Sequence, residues 1–178
     1  MGPGPRDWSA DGRFIAYVSD STGASDIWVL PLFGDRKPFP VVQTPFAETS
    51  PVFSPDVRWI AYTTNEGGQN NVAVQPFPGT GRKYQVSTSG GGQPVWRADG
   101  TELFYLAADG TMMAVPIDAT GQFNAGVPQA LFPTRARAGL NQKFAVTKDG
   151  KRFLISATPQ SRVAPITVLT NWTAAIQK

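Results

Sequence analysis

This sequence of 178 residues contains neither cysteine nor histidine. Without cysteine the chain can form no disulfide, no thiolate nucleophile and no zinc–thiolate site. Without histidine it can hold no Ser-His-Asp or Cys-His catalytic machinery and no histidine-ligated metal. Charge of either sign is also sparse: 16 Lys and Arg stand against 13 Asp and Glu, and a net charge of +3 gives no reason to expect a nucleic-acid partner.

Long apolar runs are missing as well. No stretch approaches the roughly 18 residues that a membrane-spanning helix needs, so we expect no membrane segment in this chain. The start, residues 1–6, has no apolar core and does not resemble a secretory signal. It is interpreted as a turn-rich leader or as a cut inside a longer chain.

Turn-forming residues are what the sequence has in abundance. It contains 18 glycines and 16 prolines, and 41% of its residues are apolar. This composition predicts a soluble all-β fold with many turns and a packed core, and few long helices.

One short motif recurs along the chain: an apolar residue, two further residues, then Asp, usually followed by Gly. Its aspartates are Asp11, Asp56, Asp99 and Asp149, at spacings of 45, 43 and 50 residues. That period matches the length of about 40–50 residues expected for the four-stranded blade of a β-propeller.

The segments after each motif also repeat. An apolar strand follows at once, then a polar loop, then a second strand that ends at Pro31, Pro76 and Pro116 in the first three copies, where the missing N–H is expected to end pairing. The fourth copy has corresponding strands at 153–156 and 166–169 but no outer strand. We therefore predict a single propeller segment over residues 1–178, with blades at about 6–44, 45–88, 89–134 and 140–174.

The motif residues themselves have a structural explanation. Asp accepts hydrogen bonds from backbone groups two residues on and Gly adopts positive φ, so that the pair builds the hairpin between the two inner strands. The recurring Trp and Phe are interpreted as core between blades, since burying each contributes about 2–3 kcal/mol.

These repeats resemble the TolB-type, WD-like β-propeller repeat. The resemblance rests on Phe53-Ser54-Pro55-Asp56 with Trp59-Ile60-Ala61-Tyr62, and on Asp26-Ile27-Trp28-Val29. It covers the chain from about Arg6 to Trp172. TolB-type propellers usually carry six or more blades, whereas four are visible here.

A narrower resemblance is to the propeller at the C-terminal end of bacterial membrane-anchored Ser/Thr protein kinases. It is carried by the segments 74–79, 85–88, 92–96, 102–106 and 168–172. It implies a kinase domain and a membrane segment upstream, with the propeller outside the cytoplasm as a sensor or scaffold. The chain itself has none of the kinase motifs.

Four blades form an open arc with apolar flanks. Such flanks favour self-association, so we expect a homo-oligomer, in particular a dimer in which two arcs close an eight-bladed ring.

Propeller ligands bind at the mouth of the central channel, where the loops that enter the innermost strands converge. The polar residues of those loops are the candidate ligand-binding set: Glu48, Gln93, Asn141 and Gln142. They could bind a small polar ligand or, through oxygen atoms, a calcium ion; the alternative is that they only solvate the channel. No catalytic residue and no required cofactor is predicted.

The leading functional interpretation is a non-catalytic recognition module that binds protein or a small ligand. The alternative, by resemblance to calcium-dependent lactonase and phosphotriesterase propellers, is a metal-dependent hydrolase at the same channel mouth.

Overall fold

The structure, a computed structural model, describes residues 4–20, 23–79, 81–134, 136 and 144–156. Within these residues every regular element is a β-strand, and none is a helix long and apolar enough to cross a membrane. The all-β prediction is confirmed.

The strands form consecutive antiparallel sheets in chain order. The first sheet contains β1 (Gly4–Trp8), β2 (Phe14–Ser19), β3 (Asp26–Pro31) and β4 (Phe39–Val42). The second contains β5 (Glu48–Phe53), β6 (Trp59–Thr64), β7 (Asn71–Pro76) and β8 (Tyr84–Gln85). In both sheets each strand pairs with the next one along the chain, as in a propeller blade.

The third sheet repeats this order with one addition. It contains β9 (Gly92–Trp96), β10 (Glu102–Leu106), β11 (Thr111–Asp118), β12 (Asn124–Ala125) and β13 (Gln129–Pro133), and both β12 and β13 pair with β11. In the fourth copy the described strands are β14 (Phe144–Val146) and β15 (Phe153–Ile155). The strand predicted at 166–169 lies outside the described residues.

The second strand after the motif, which is the third strand of each sheet, is predicted to end at proline in the first three copies, and this prediction is wrong for Pro116. β11 continues to Asp118, because the Ile117 N–H donates to the carbonyl of Thr101 at 2.8 Å and the Pro116 carbonyl accepts from Gly126 at 2.8 Å. Pro116 lies where the neighbouring groups carry the pairing, so its missing N–H leaves no gap in the ladder.

Four identical turns join the first and second strands of the sheets. In each turn, the residue two positions before the aspartate donates its backbone N–H to the carbonyl five residues further along the chain, at 2.9 Å. The aspartate carboxylate accepts from the backbone N–H of the residue two positions after it. The motif thus builds the hairpin, as its residues predict.

The core lies between neighbouring sheets. One apolar cluster joins the first and second sheets, another the second and third, and another the third and fourth. Both faces of the second sheet are covered, so that every residue of β6 is buried. Strands sandwiched in this way need apolar residues on both faces, which explains the continuous apolar runs in the sequence.

Candidate functional site

The innermost strands β1, β5 and β9 are neighbours, with β5 between the other two. Each contains one irregularity in its pairing with the second strand of its sheet. The bulged segments are Arg6 in β1, Ser50–Pro51 in β5 and Gln93–Pro94 in β9. Bulges re-aim side chains, and they are common next to binding sites.

Backbone conformation is unusual at two of these bulges. Ser50 has a φ of 52° and Gln93 a φ of 60°, both in the left-handed region that costs an ordinary L-residue about 1–2 kcal/mol. Proline follows each of them. The Gln93 N–H donates to the Thr63 hydroxyl at 2.9 Å, which ties its bulge to the neighbouring sheet.

The three bulges line one cavity of about 200 Å³. Its lining residues are Pro5, Arg6, Ser50, Pro51, Val52, Gln93 and Pro94. The polar members come from the bulges of three strands: a guanidinium, a hydroxyl and a carboxamide. Together they offer donors and acceptors to a small polar molecule at the propeller axis.

A second cavity of about 350 Å³ shares Arg6 and Val52 with the first and includes Asp7 and Trp8. The Asp7 carboxylate accepts from the Phe53 N–H at 2.7 Å, which fastens β1 to β5. Burial raises the pKa of Asp7 above its usual value, although backbone hydrogen bonds act in the opposite direction. Arg6 and Asp7 thus bring two charged groups of β1 to these cavities.

The structure separates the predicted site residues Glu48 and Gln93. Gln93 lines the 200 Å³ cavity and Glu48 does not, although both side chains are buried, with exposures of 2% and 1%. One oxygen of Glu48, Oε1, accepts from the Thr44 hydroxyl at 2.6 Å and from the Thr64 hydroxyl at 3.3 Å. Its Oε2 is buried and has no hydrogen-bond partner among the described residues.

Burial is the main reason that the pKa of Glu48 lies above its usual value, and the nearby carboxylate of Asp26 raises it further. Asp26 is also fully buried and accepts from the Gln43 carboxamide at 3.4 Å. Burial, together with the charge of Glu48, raises the pKa of Tyr62 as well. Glu48 thus belongs to a buried polar group between the first two sheets.

Asn141 and Gln142 lie outside the described residues, and their part in a ligand site stays a prediction. In the described part of the chain, no group of three or more Asp and Glu residues is placed to hold a metal ion.

Sequence reasoning missed Arg6 and Ser50. A signal for Ser50 is present: Ser50-Pro51 and Gln93-Pro94 are polar–proline pairs that stand at the same distance before the aromatic residue ending each inner strand. Arg6 carries no such signal, because in β1 the proline precedes the polar residue, as Pro5-Arg6, and does not follow it.

No protein-family model matches this chain, and no curated protein sequence matches it. Solved structures do. TolB from Acinetobacter baumannii is 17% identical with a TM-score of 0.67, over 86% of this chain and 37% of its own. A candidate TolB from Agrobacterium tumefaciens is 20% identical with a TM-score of 0.61, over 74% of this chain and 50% of its own.

A candidate 6-phosphogluconolactonase from Bacteroides uniformis is 19% identical with a TM-score of 0.54, over 87% of this chain and 48% of its own. The chain therefore spans half or less of the length of each of these proteins. At these identities, what they share with this chain is the fold. The fold of this chain is that of a TolB-like β-propeller.

Proposed function

We propose that this chain is a non-catalytic recognition module that binds a small polar ligand at the propeller axis. The observation that carries the proposal is the convergence of three bulged segments, one from each inner strand, on a single cavity. Two of the three bulges hold a non-glycine residue at positive φ, and such strain is common at binding sites.

The cavity is preorganised for this role. Its backbone is fixed by prolines and by the hydrogen bond from Gln93 to Thr63, so little conformational entropy remains to be lost on binding. Arg6 adds a permanent positive charge, and the Ser50 hydroxyl and the Gln93 carboxamide add directional hydrogen bonds.

The test uses acetate and inorganic phosphate as probes, titrated into the isotopically labelled chain and followed by NMR. We expect shifts confined to residues around Arg6, Ser50 and Gln93. Asn tolerates positive φ better than Gln does, so Gln93→Asn should preserve the bulge while it withdraws the carboxamide by one methylene, and it should weaken binding about tenfold.

Gln129→Ala, an exposed change in β13, is the matched control and should leave the shifts unchanged. Shifts scattered over the surface, or equal binding by Gln93→Asn, would contradict the proposal.

The alternative is a hydrolase that uses a metal at the channel mouth, and the fold shared with the candidate lactonase is the observation that favours it. Glu48, its expected carboxylate ligand, does not line the axial cavity. We expect no turnover of activated esters or phosphotriesters. Turnover that EDTA removes and Glu48→Gln abolishes would favour the enzyme.

The proposed partner is a second copy of this chain. The outward face of the first sheet carries Trp8, which is 63% exposed, together with the partly exposed Ile15, Tyr17 and Trp28. Leu154 of β15, in the last sheet that the structure describes, is 77% exposed. Joining the two ends between copies would cover both surfaces and surround the axial cavity. The upstream kinase, the membrane segment and the extracytoplasmic location stay predictions.

A further inference from the structure

Glu48 does not line the axial cavity, but it lies on the same strand as one of the bulges that do. It is the first residue of β5, and Ser50 follows two positions later. Glu48 pairs with Thr64 of β6 and Thr49 pairs with Thr63, after which the bulge interrupts the register. The bulge at Ser50 therefore begins directly after the residues that fix the start of β5 to β6.

Both the side chain and the backbone of Glu48 are tied to neighbouring elements. Its Oε1 accepts from the hydroxyls of Thr44 at 2.6 Å and of Thr64 at 3.3 Å. Its backbone N–H donates to the carbonyl of Ser25 at 2.6 Å, and Ser25 directly precedes β3. The start of β5 is thus held against the first sheet at the residue that carries the buried carboxyl.

The bulge at Gln93 is held by a different bond. The Gln93 N–H donates to the Thr63 hydroxyl at 2.9 Å. A Cβ added at Gly92 would lie 3.0 Å from the Thr63 side chain, so β9 approaches β6 closely at this point. Gln93 is therefore positioned by β6, and a displacement at the start of β5 would move Ser50 relative to it. Such a movement would change the cavity that both residues line.

The surroundings of Glu48 make its ionisation unfavourable. The carboxyl is almost completely buried, and the fully buried Asp26 at the start of β3 acts on it as a charge of the same sign. The other titratable groups around it are the phenol of Tyr62 in β6 and Lys83 before β8, which forms an ion pair with Glu66. Among the described residues no Lys or Arg forms an ion pair with Glu48 itself. Like charges repel more strongly in buried surroundings than in water.

Protonation of Glu48 removes this repulsion. Because burial and Asp26 raise the pKa of Glu48, the carboxyl is protonated at low pH and ionises as the pH rises through the raised value. Once it is ionised, the repulsion from Asp26 opposes the hydrogen bond from Glu48 to Ser25, which joins β5 to the first sheet. We propose that Glu48 is a positioning residue for the ligand site of the proposed function, on which this inference rests: its ionisation displaces the Ser50 bulge, so that ligand affinity falls as the pH rises.

The experiment measures the affinity of the axial cavity against pH. Acetate is titrated into the labelled chain from about pH 5 to 8, its concentration corrected for the protonated fraction, and binding is followed by NMR at Arg6, Ser50 and Gln93. We expect acetate to bind about fivefold more weakly at the upper end of this range, a coupling of ordinary size between two sites. Binding with no such fall would overturn the role of Glu48 and leave the proposed function standing. Absence of binding at every pH would overturn both.

Variants identify the group that titrates. Glu48→Gln keeps the size and the acceptor oxygen of the side chain but cannot ionise, so its affinity for acetate should change less than about twofold over this range. Glu66→Gln, an exposed change of the same kind, is the control and should retain the fall. Asp7 is the other candidate, since its carboxylate accepts from the Phe53 N–H at 2.7 Å at the far end of β5. A pH dependence that Asp7→Asn removes and Glu48→Gln keeps would assign the effect to Asp7 and contradict the proposal.

Hydrogen exchange of the ligand-free chain distinguishes a displacement of β5 from a direct effect of charge on the ligand. The Glu48 N–H, which donates to Ser25, should lose protection as the pH rises, after correction for the intrinsic pH dependence of exchange. The Gln93 N–H, which donates to Thr63, should keep its protection. A fall in affinity with unchanged protection of the Glu48 N–H would mean that the charge acts through space, and it would rule out the positioning role.

Discussion

At the scale of single residues, the first-strand turns show what the backbone demands of the sequence. Three of the four carry Gly after Asp, with φ of 74° at Gly12, 76° at Gly100 and 72° at Gly150. The fourth carries Val57 at a φ of 60°. A β-branched residue is strained in this region, so the second sheet keeps its turn at a cost that the other sheets avoid.

We therefore expect a reciprocal pair of substitutions to act in opposite directions. Val57→Gly removes about 1–2 kcal/mol of strain but loses partly buried packing and gains chain entropy in the unfolded state, which leaves a stabilisation of a few tenths of a kcal/mol. Gly12→Val introduces the strain where no atom lies within 4 Å of the new Cβ, so it should destabilise by about 1–2 kcal/mol through the backbone alone. Urea unfolding of both variants checks this. A destabilised Val57→Gly would mean that packing outweighs strain.

Glu48 makes stability depend on pH. Because burial raises its pKa in the folded state, the folded protein favours the protonated carboxyl. The contribution of Glu48 to the free energy of unfolding is therefore complete below the ordinary carboxyl pKa of the unfolded chain. It is lost as the pH rises through the raised pKa of the folded state.

Glu48→Gln removes that titration. We expect the variant to gain unfolding free energy relative to the parent chain as the pH is raised from about 4 to 7. Thermal unfolding across this range measures the difference, and Glu66→Gln, an exposed change, is the control. A difference that does not depend on pH would show that Glu48 is ionised at little cost.

At the scale of strands and sheets, burial alternates where a sheet has one neighbour and is continuous where it has two. Residues of β2 alternate between buried and partly buried, whereas all of β6 is buried. Phe77 closes the interface between the first two sheets, with ring centroids 5.0 Å from both Phe14 and Phe53.

Phe77→Ala should destabilise the protein by about 3–5 kcal/mol, since it removes a ring that is 3% exposed and leaves a cavity. Hydrogen exchange should show the loss first in β2 and β3. Phe33→Ala removes a half-exposed ring from the edge of the same cluster and should cost about 1 kcal/mol. Equal effects of the two would contradict the assigned core.

The sequence predicts the regular part of these elements well, because alternation, Asp–Gly turns and a period near 45 residues are local signals. It does not predict β12, whose pairing depends on how far β11 extends. Nor does it reveal the bulges at Ser50 and Gln93, since neither residue type favours positive φ. Glu48 is a polar residue in a loop-like stretch, and its burial follows from packing between two sheets that no local pattern records.

At the scale of the whole molecule, one rule describes the packing. Among the described residues, the second and third sheets each present one face to the sheet before and the other to the sheet after. The positions occupied by Ile15 and Tyr17 in β2 correspond to Ile60 and Tyr62 in β6, which are buried against the first sheet. The face of the first sheet thus has the residue types of a blade interface.

We propose that this arc is half of a ring whose axis is the ligand site. Sedimentation equilibrium of the chain from about 1 to 100 µM measures this association, with Trp8→Gln as the variant that alters the exposed face. We expect a dimer that weakens at low concentration and is at least tenfold weaker in Trp8→Gln. A monomer at every concentration, or a dimer that Trp8→Gln leaves unchanged, would contradict it.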